Sequence, residues 1–493
     1  NVLAARGSLE ADLRDPHCDA YRHVFAELRS RAVAEVLAPE NLDEVVARPS
    51  PEQGLLRRGR LISLMRKGAH PVDAARAARA VLAAVAVAAN TDESAAHKLA
   101  ALGVLADAPR AASSLGALRA RLLQPHSALN NLYLHVTFAC DLACRHCYAE
   151  AGAARHGAMA VGSVLGACRQ ASSLGFRHAV ITGGEPLVHP EREALLAGLA
   201  EHRGALKPLH TVLRTNLAGR LSRDLLSLVA RATDEVVVSL DGDAASHDAR
   251  RGAGTYAATV ANLRALLDLG PTSEVSLAAV LPVAAIQGPE GEAVRSLARE
   301  LGLRRTRFKP LLPLGRALAA LPDIVPEAAW GHLDPHDAVG YGFHPAASCG
   351  LGQNLYVEPD GGAFPCYAWH GETWRLGSID GDGGLATVVG SARFLALAGH
   401  TVDSNRRCRV CPLRYLCGGS CRAWNRHAPE AQLDLDAPPV DCSHLHRRAR
   451  AVLDAALAHL GIQRAQWSAA GLPLPDEPPA VAAAGGEEEG EVR

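Results

Sequence analysis

The sequence predicts an α/β protein built around a partial (β/α)6 barrel similar to a TIM barrel, with an N-terminal helical domain and a C-terminal cysteine-rich domain. Three observations support this prediction. Short apolar segments alternate with helical patterns from Leu132 to about residue 310. The residues before them are rich in Ala, Leu and Arg and have no strand pattern. After about residue 340 the alternation stops, and Cys, Gly and Pro become frequent.

The barrel prediction depends on six segments. Apolar residues occupy every second position from Leu132 to Phe138, which indicates a strand. Further strands are predicted at residues 178–182, 211–213, 235–240, 274–281 and 306–308. Between them, a helix is indicated where Tyr256, Val260 and Leu263 share one face. Alternating strands and helices predict parallel units with right-handed crossovers, and a full eight-unit barrel needs about 250 residues, so this one is incomplete.

The regions outside the barrel are predicted from composition. A helix start at Pro71 and a stop at Gly103 indicate helices before the barrel, and a further helix is expected near residues 444–460. The acidic, low-complexity end of the chain predicts disorder. We therefore predict a helical domain at 1–127, the barrel at 128–340, a cysteine-rich domain at 341–446, a helix at 447–470 and a disordered tail at 471–493.

Composition excludes several classes of partner. Lys plus Arg number 51 and Asp plus Glu 52 in 493 residues, so no basic field predicts binding to nucleic acid. No secretion signal and no apolar run long enough to cross a bilayer is visible, which predicts a cytoplasmic protein without a membrane partner. In a reducing compartment, the 12 cysteines are expected to be metal ligands or catalytic groups rather than disulfides.

The first cysteine group directly follows the first predicted strand. Cys140, Cys144 and Cys147 form C-x3-C-x2-C, a spacing that lets one tight loop bring three thiolates together. A [4Fe–4S] cluster usually takes four thiolates, so three leave one iron open to a small chelating ligand. Catalytic groups of barrels lie at the carboxyl ends of the strands, where this loop begins. The alternative is a zinc site, for which His146 is the nearest fourth ligand.

This motif, followed by the aromatic Tyr148, resembles the signature of the radical S-adenosylmethionine (SAM) superfamily. The resemblance implies an enzyme in which the open iron binds the amino and carboxylate groups of SAM. One electron, from a donor such as flavodoxin or ferredoxin, then cleaves SAM and gives a 5′-deoxyadenosyl radical that takes hydrogen from the substrate.

Four further segments, each at the end of a predicted strand or shortly after one, match the same family. By resemblance they bind the methionine amino group, the ribose and the methionine carboxylate; their residues are Gly183, Gly184, Glu185, Asn216, Ser239, Asp241 and Arg251. Taken singly, each could be an ordinary turn, loop or solvated charge. Leu217 departs from the family, in which many members have glycine after Thr-Asn.

The second cysteine group resembles the SPASM domain, an extension found in radical SAM maturases. Its seven cysteines are Cys349, Cys366, Cys408, Cys411, Cys417, Cys421 and Cys442. The resemblance implies two auxiliary [4Fe–4S] clusters, and so three clusters in the chain. The first would be bound by Cys349, Cys366 and Cys421, and the second by Cys408, Cys411, Cys417 and Cys442. Either a group such as His344 completes the first, or one iron is open. A structural zinc site at 408–442 is the alternative, and Cys18 and Cys168 are expected to be packing residues.

The resemblance is less specific for the substrate. Most relatives modify ribosomally made peptides, so we predict a peptide maturase that acts on a ribosomal precursor peptide. The N-terminal region is then either a leader-peptide recognition element or a helical scaffold. Sulfatase maturases have aspartate where this chain has Tyr367, which argues against formylglycine formation. Modification of a small molecule such as a tetrapyrrole or sugar, and a non-enzymatic zinc-binding interaction protein, are the alternatives.

Overall fold

The computed structural model describes residues 71–89, 98–99, 101–104, 129–286, 288–311, 315–317, 348, 350–369, 371–419 and 443–474. Several predictions lie outside these residues. They concern Cys18, His344, Cys349, Cys421 and Cys442, the helical prediction for residues 1–70, 90–97, 100 and 105–127, and the tail from residue 475.

The strands of the described residues form one sheet, and helices pack against it. Its strands are β1 (Asn131–His135), β2 (His178–Thr182), β3 (His210–Thr215), β4 (Glu235–Ser239), β5 (Glu274–Leu281), β6 (Thr306–Pro310), β7 (Asn354–Val357), β8 (Gly362–Phe364) and β9 (Gly377–Ser378). Their order in the sheet is β6-β5-β4-β3-β2-β1-β7-β8-β9. Neighbours from β1 to β6 are parallel, which confirms the six predicted units of the partial barrel.

Helices connect the strands and continue after them. They are α1 (Pro71–Ala89), α2 (Val161–Leu174), α3 (Arg192–His202), α4 (Arg223–Ala232), α5 (Ala244–Arg251), α6 (Thr255–Asp268), α7 (Val283–Ile286), α8 (Pro289–Glu300), α9 (Gly384–Gly390), α10 (Ala392–Gly399), α11 (Arg414–Cys417), α12 (Ser443–His459) and α13 (Arg464–Ala469). Local signals set several of these boundaries. Ser222, for example, begins α4 because its side chain accepts a hydrogen bond from the N–H of Leu225.

The cysteine-rich region extends the barrel sheet, which the sequence did not predict. β7 pairs in parallel with β1, and β8 and β9 follow as antiparallel neighbours. The side chains of Asn131 and Asn354 hydrogen-bond across the β1–β7 pair, with 2.6 Å between Nδ2 and Oδ1. The strand that opens the barrel therefore lies in the middle of the sheet.

Alternation along the strands divides the sheet into two faces. Leu132, Leu134 and Leu213 belong to the main apolar core, which includes buried residues of the surrounding helices. Val180 and Val212 point to the opposite face and form a separate small cluster inside the barrel. This face is here called the lumen.

A second core lies apart from the barrel. α1 packs against α11 and α12, and this core includes Val81, Tyr415 and the buried thiols of Cys408 and Cys411. Arg414 joins α11 to α1, since its Nη1 donates to the carbonyl of Ala88 over 2.5 Å. The described part of the N-terminal region thus packs on the cysteine-rich region. None of the helices described reaches the length and apolarity that crossing a membrane requires.

Candidate active site

The loop that follows β1, residues 136–152 and here called the cysteine loop, brings three free thiols to the carboxyl end of the sheet. Cys140 is buried, and Cys144 and Cys147 are half-buried. Burial raises the pKa of the Cys140 thiol to about 12, with smaller contributions from nearby groups that include Cys144. Burial also raises the pKa of Cys144, and Cys147 adds to that effect. The thiols are therefore close enough to oppose one another's ionisation, and bound iron would reverse that preference.

The donor set fits an iron–sulfur cluster held by three cysteines. Among the residues that the structure describes, no three His, Cys, Asp or Glu side chains are placed to hold a single metal ion. The thiolates around an iron–sulfur cube each bind a different iron, so they need not converge on one point. The N–H of Leu142 also points at Cys140 Sγ over 3.4 Å, a contact that stabilises a thiolate.

Gly183 and Gly184 are required by the close approach of two backbone segments. The N–H of Gly184 donates to the carbonyl of Thr137 over 2.7 Å, and that of Glu185 to Ala139 over 2.9 Å. A Cβ on Gly183 would lie 2.3 Å from the Thr137 oxygen, and one on Gly184 would lie 2.1 Å from the Ala139 oxygen. The two glycines therefore attach the segment after β2 to the start of the cysteine loop.

Glu185 is buried and accepts three hydrogen bonds from the chain. Its Oε1 accepts from the Leu187 N–H at 3.0 Å and the Thr215 hydroxyl at 2.8 Å. Its Oε2 accepts from the Asn216 N–H at 2.7 Å. Burial raises the pKa of this carboxyl to about 7, although these hydrogen bonds oppose the rise. One acceptor position on Oε2 is left after these bonds.

Asn216 links the end of β3 to the cysteine loop. Its Nδ2 donates to Asp141 over 2.8 Å and lies 3.9 Å from Cys140 Sγ, and its Oδ1 accepts from the Ala218 N–H. The next residue, Leu217, has a φ of 51°, a left-handed conformation that glycine adopts more easily. Glycine in this position of the family therefore has a local physical reason, and this chain places a buried leucine there instead.

Asp241 and Arg251 pair with each other beside the cysteine loop. Arg251 Nε donates to Asp241 Oδ2 over 2.5 Å, and His146 Nε2 lies 3.2 Å from the same oxygen. The Val280 N–H donates to Asp241 Oδ1 over 2.8 Å. Although burial opposes it, the Arg251 charge and the contact with His146 hold the pKa of Asp241 well below its ordinary value. The charge of Arg251 also interacts with the thiols of Cys144 and Cys147.

Tyr148 and Ser239 complete the predicted residues of the barrel. The Tyr148 hydroxyl lies 3.2 Å from His135 Nε2, and its ring packs edge-on against Tyr367 at 5.2 Å between centroids. Ser239 ends β4, half-buried, and shares strand parity with Val237, which faces the lumen. All the predicted residues of the barrel therefore lie at the carboxyl ends of β1 to β4 or after them.

A short segment after β6 holds the cysteine loop from the other side, and the sequence did not reveal it. The N–H of Arg316 donates to the Cys147 carbonyl over 3.1 Å. Its guanidinium donates to the carbonyls of Cys144 and Ala151, each over 2.8 Å. Gly315 has a φ of 56°, and a Cβ there would lie 2.5 Å from the Cys147 oxygen. The only signal in the sequence is a glycine shortly after the sixth strand.

Four of the predicted auxiliary cysteines lie in the described chain. Cys366 follows β8 and is half-buried, whereas Cys408, Cys411 and Cys417 lie together on the segment that packs against α1. Cys411 donates its N–H to the Cys408 carbonyl over 2.8 Å. Cys168, on α2, is buried in the main core, and burial raises its pKa to about 12, as expected of a packing residue.

Three cysteines share one backbone arrangement. In each case the backbone N–H of the residue two positions later in the chain points at the cysteine sulfur. The pairs are Leu142 with Cys140 at 3.4 Å, Ala368 with Cys366 at 3.5 Å and Gly419 with Cys417 at 3.3 Å. Such contacts place a partial positive charge beside each sulfur and stabilise its thiolate form, which is the form that binds iron.

Comparison with known proteins identifies the barrel. Residues 134–283 match the model of the radical SAM superfamily. The chain carries a radical SAM domain. The family prediction is confirmed, and the chain is an enzyme, which removes the non-enzymatic alternative. This domain implies a [4Fe–4S] cluster and SAM.

The relatives of this radical SAM enzyme include maturases. It is 26% identical over 332 residues to mycofactocin maturase MftC of Mycobacterium ulcerans (strain Agy99), covering 62% of this chain and 86% of that protein. It is 26% identical over 333 residues to the serine-type anaerobic sulfatase-maturating enzyme of Klebsiella aerogenes, covering 58% and 77%. A solved structure, native anSMEcpe with bound AdoMet, is 17% identical, has a TM-score of 0.49 and covers 70% of this chain and 100% of that chain.

Proposed function

We propose that the chain is a radical SAM peptide maturase with three [4Fe–4S] clusters. The observation that carries the proposal is the cysteine loop, whose three thiols are held at the carboxyl end of β1 by the Gly183–Gly184 segment on one side and Arg316 on the other. When bound, the reduced cluster at Cys140, Cys144 and Cys147 supplies one electron that cleaves SAM to methionine and a 5′-deoxyadenosyl radical, which takes a hydrogen atom from the substrate.

The surrounding residues bind and orient the cofactor. Glu185 Oε2 keeps one acceptor position for the methionine ammonium, and a bound ammonium would hold the carboxyl in its ionised form. Arg251 uses Nε for Asp241, and no other hydrogen bond of its guanidinium is found in the described chain. Its Nη groups are therefore the donors for the methionine carboxylate.

The remaining residues near the cofactor act mainly through position. Asp241 has both oxygens engaged by Arg251, His146 and the Val280 N–H, so it orients the arginine. Asn216 fixes the cysteine loop through its side-chain bond to Asp141. Ser239, at the end of β4, offers its hydroxyl to the ribose. Tyr148 lies on the luminal side of the three thiols, where its hydroxyl contacts His135.

The auxiliary clusters are assigned to the remaining cysteines. Cys408, Cys411 and Cys417, with Cys442, would hold one cluster, and Cys366, with Cys349 and Cys421, the other. Two observations support the assignment: Cys408 and Cys411 lie buried in an apolar core, and the sulfurs of Cys366 and Cys417 each accept a backbone N–H. At these sites the clusters would accept an electron from the substrate, or they would bind the substrate directly.

A ribosomally made precursor peptide is the proposed substrate. The support is that relatives carry names of maturases, and that one structural neighbour, SuiB of Streptococcus suis, was solved bound to its precursor peptide SuiA. Formylglycine formation is not proposed, because Tyr367 stands where sulfatase maturases have aspartate. A small-molecule substrate is the second candidate, and a tetrapyrrole or sugar operon around the gene would favour it.

The test is anaerobic reconstitution of the full chain, with mass spectrometry of a co-expressed neighbouring peptide. Cys144→Ala should abolish 5′-deoxyadenosine formation, because it removes a ligand of the radical-generating cluster. Cys417→Ala should retain some 5′-deoxyadenosine and lose the peptide product. Cys168→Ala, which removes a buried thiol of the core, is the matched control and should keep both activities. Undiminished SAM cleavage by the Cys144 variant would contradict the assignment.

A further inference from the structure

Three cations face the barrel lumen from two strands of the sheet, β3 and β6. Arg214 on β3 shares strand parity with Val212, which belongs to the luminal cluster. On β6, Phe308 points outward into the main core, so Arg307 and Lys309 point inward. The side chain of Arg307 confirms this direction, because it bonds Ser276 Oγ over 2.6 Å and also pairs with Glu235 inside the barrel.

Arg307 is neutralised by Glu235, but Arg214 and Lys309 are not neutralised. In the described part of the chain, no carboxylate lies within ion-pair distance of either cation. Arg214 is half-buried, and Lys309 is exposed to the lumen. The charge of Arg214 holds the pKa of Lys309 well below its ordinary value, with further lowering by partial desolvation and by the charge of Arg307. Arg214 and Lys309 therefore face one lumen from β3 and β6 with no carboxylate partner among the described residues.

Tyrosines form the wall beside Arg214. The Arg214 guanidinium lies 5.4 Å from the centroid of the Tyr133 ring. Tyr133 stacks on Tyr356 with 4.4 Å between centroids and 8° between planes, and Tyr356 contacts Tyr367 at 5.5 Å. The ring contact orients the guanidinium without using its N–H donors, which no hydrogen bond in the described chain occupies. Aromatic faces next to unsatisfied donors are typical of a ligand site.

We propose that Arg214 and Lys309 bind a carboxylate of the substrate, which rests against the Tyr133–Tyr356 wall. This proposal rests on the peptide function above, and it defines the substrate class as one with a carboxylate near the reacting residue. Two like charges without a counter-ion destabilise an apoprotein lumen, and an entering carboxylate relieves that repulsion. In a peptide, the carboxylate is either the C-terminus or an acidic side chain.

The cofactor carboxylate is a less suitable occupant of this position. Arg251 lies close enough to Cys144 and Cys147 to interact with their charges, and its Nη groups carry no hydrogen bond in the residues described. The open iron, where SAM binds, would lie beside those thiols. Arg214 instead contacts the tyrosine wall, and Lys309 faces the same lumen from β6. The two cationic positions can therefore serve two different carboxylates.

The experiment compares an acid probe with its neutral amide. N-acetyl-L-phenylalanine and N-acetyl-L-phenylalaninamide are titrated into the anaerobically reconstituted, SAM-loaded protein at low salt, and binding is measured by equilibrium dialysis. The acid should bind about tenfold more tightly than the amide, which is the effect of one charge-assisted hydrogen bond. Arg214→Gln and Lys309→Gln should each lower this preference several-fold, and Arg214→Lys should keep part of it. Arg264→Gln, which removes an exposed arginine of α6, is the control and should leave the preference intact.

Three results would overturn the proposal. They are equal binding of acid and amide by the wild type, a preference that survives both glutamine substitutions, and a loss of SAM binding as large as the loss of acid binding. A second acid probe, N-acetyl-L-glutamic acid with its α-carboxyl amidated, distinguishes a side-chain carboxylate from a C-terminal one. Circular dichroism and iron content verify folding of each variant. A wild type that forms no 5′-deoxyadenosine would instead refute the proposed function, whatever the probe titration gives.

Discussion

Leu217 should tolerate glycine better than alanine, which is the reverse of the usual order within a folded chain. The residue has a φ of 51° directly after the end of β3, and its side chain is fully buried in the main core. Leu217→Ala removes the side chain but keeps a Cβ in the left-handed conformation. Leu217→Gly removes the same side chain and also removes the conflict between the Cβ and the backbone.

The difference between the two variants can be worked out from these features. Loss of a buried leucine side chain costs about 2–5 kcal/mol in the free energy of unfolding, and both variants incur it. The left-handed conformation costs a residue with a Cβ about 1–2 kcal/mol, and glycine avoids that cost. Against this, glycine loses about 0.5–1 kcal/mol more backbone entropy than alanine on folding. The glycine variant should therefore be more stable than the alanine variant by about 0.5–1 kcal/mol.

Leu213 provides the matched control because it is equally buried and lies within β3. There the backbone is extended, and glycine should be less stable than alanine by about 0.5–1 kcal/mol. Urea unfolding of the four anaerobically reconstituted variants, followed by circular dichroism, measures both differences. If glycine is less stable than alanine at both positions, the left-handed conformation of Leu217 does not govern this site.

Three further predictions follow from the contacts around the sheet. Arg316→Gln removes two charged donors to the cysteine loop, so iron content and SAM cleavage should both fall, the latter at least about tenfold; iron content equal to the wild type would contradict this. Gly184→Ala forces a Cβ against the Ala139 carbonyl and should destabilise the fold by about 3 kcal/mol, whereas Gly204→Ala, with no heavy atom within 4 Å of the new Cβ, should be tolerated; thermal unfolding compares the two. Although burial opposes it, hydrogen bonds from Lys207 and the Thr211 N–H lower the pKa of Asp234 to about 2, below its ordinary value of 3.8. Asp234 therefore stabilises the fold above about pH 4, and about 2 kcal/mol of that is lost as the pH falls through 2; the Asp234→Asn variant should lack this part of the acid transition.

The six parallel strands were predictable because their signal is local. Each strand carries its apolar pattern within a few residues, and the helix after it shows a 3.6-residue period. The pairing of β7 with β1 could not be predicted in this way. It joins Asn131 to Asn354 across 223 residues of the chain, and the short strands of a cysteine-rich segment carry little pattern of their own.

The residue types of the site could be predicted from the sequence, but only some of the contacts between these residues could. The spacing of Cys140, Cys144 and Cys147 identified the loop, because three thiols on so short a segment have few other uses. Sequence gave Asp241 and Arg251 separate tasks toward the cofactor, whereas the structure joins them in one ion pair. Arg316 was missed because its bonds go to backbone carbonyls, which leave no trace in residue types.

The three-cysteine centre is tested most directly by electron paramagnetic resonance of the reduced full chain, recorded with and without SAM. We expect a [4Fe–4S] component that shifts when SAM is added, and that is missing when Cys140, Cys144 and Cys147 are all replaced by alanine. A spectrum in which no component responds to SAM, or a SAM-responsive component that persists in the triple variant, would contradict this assignment.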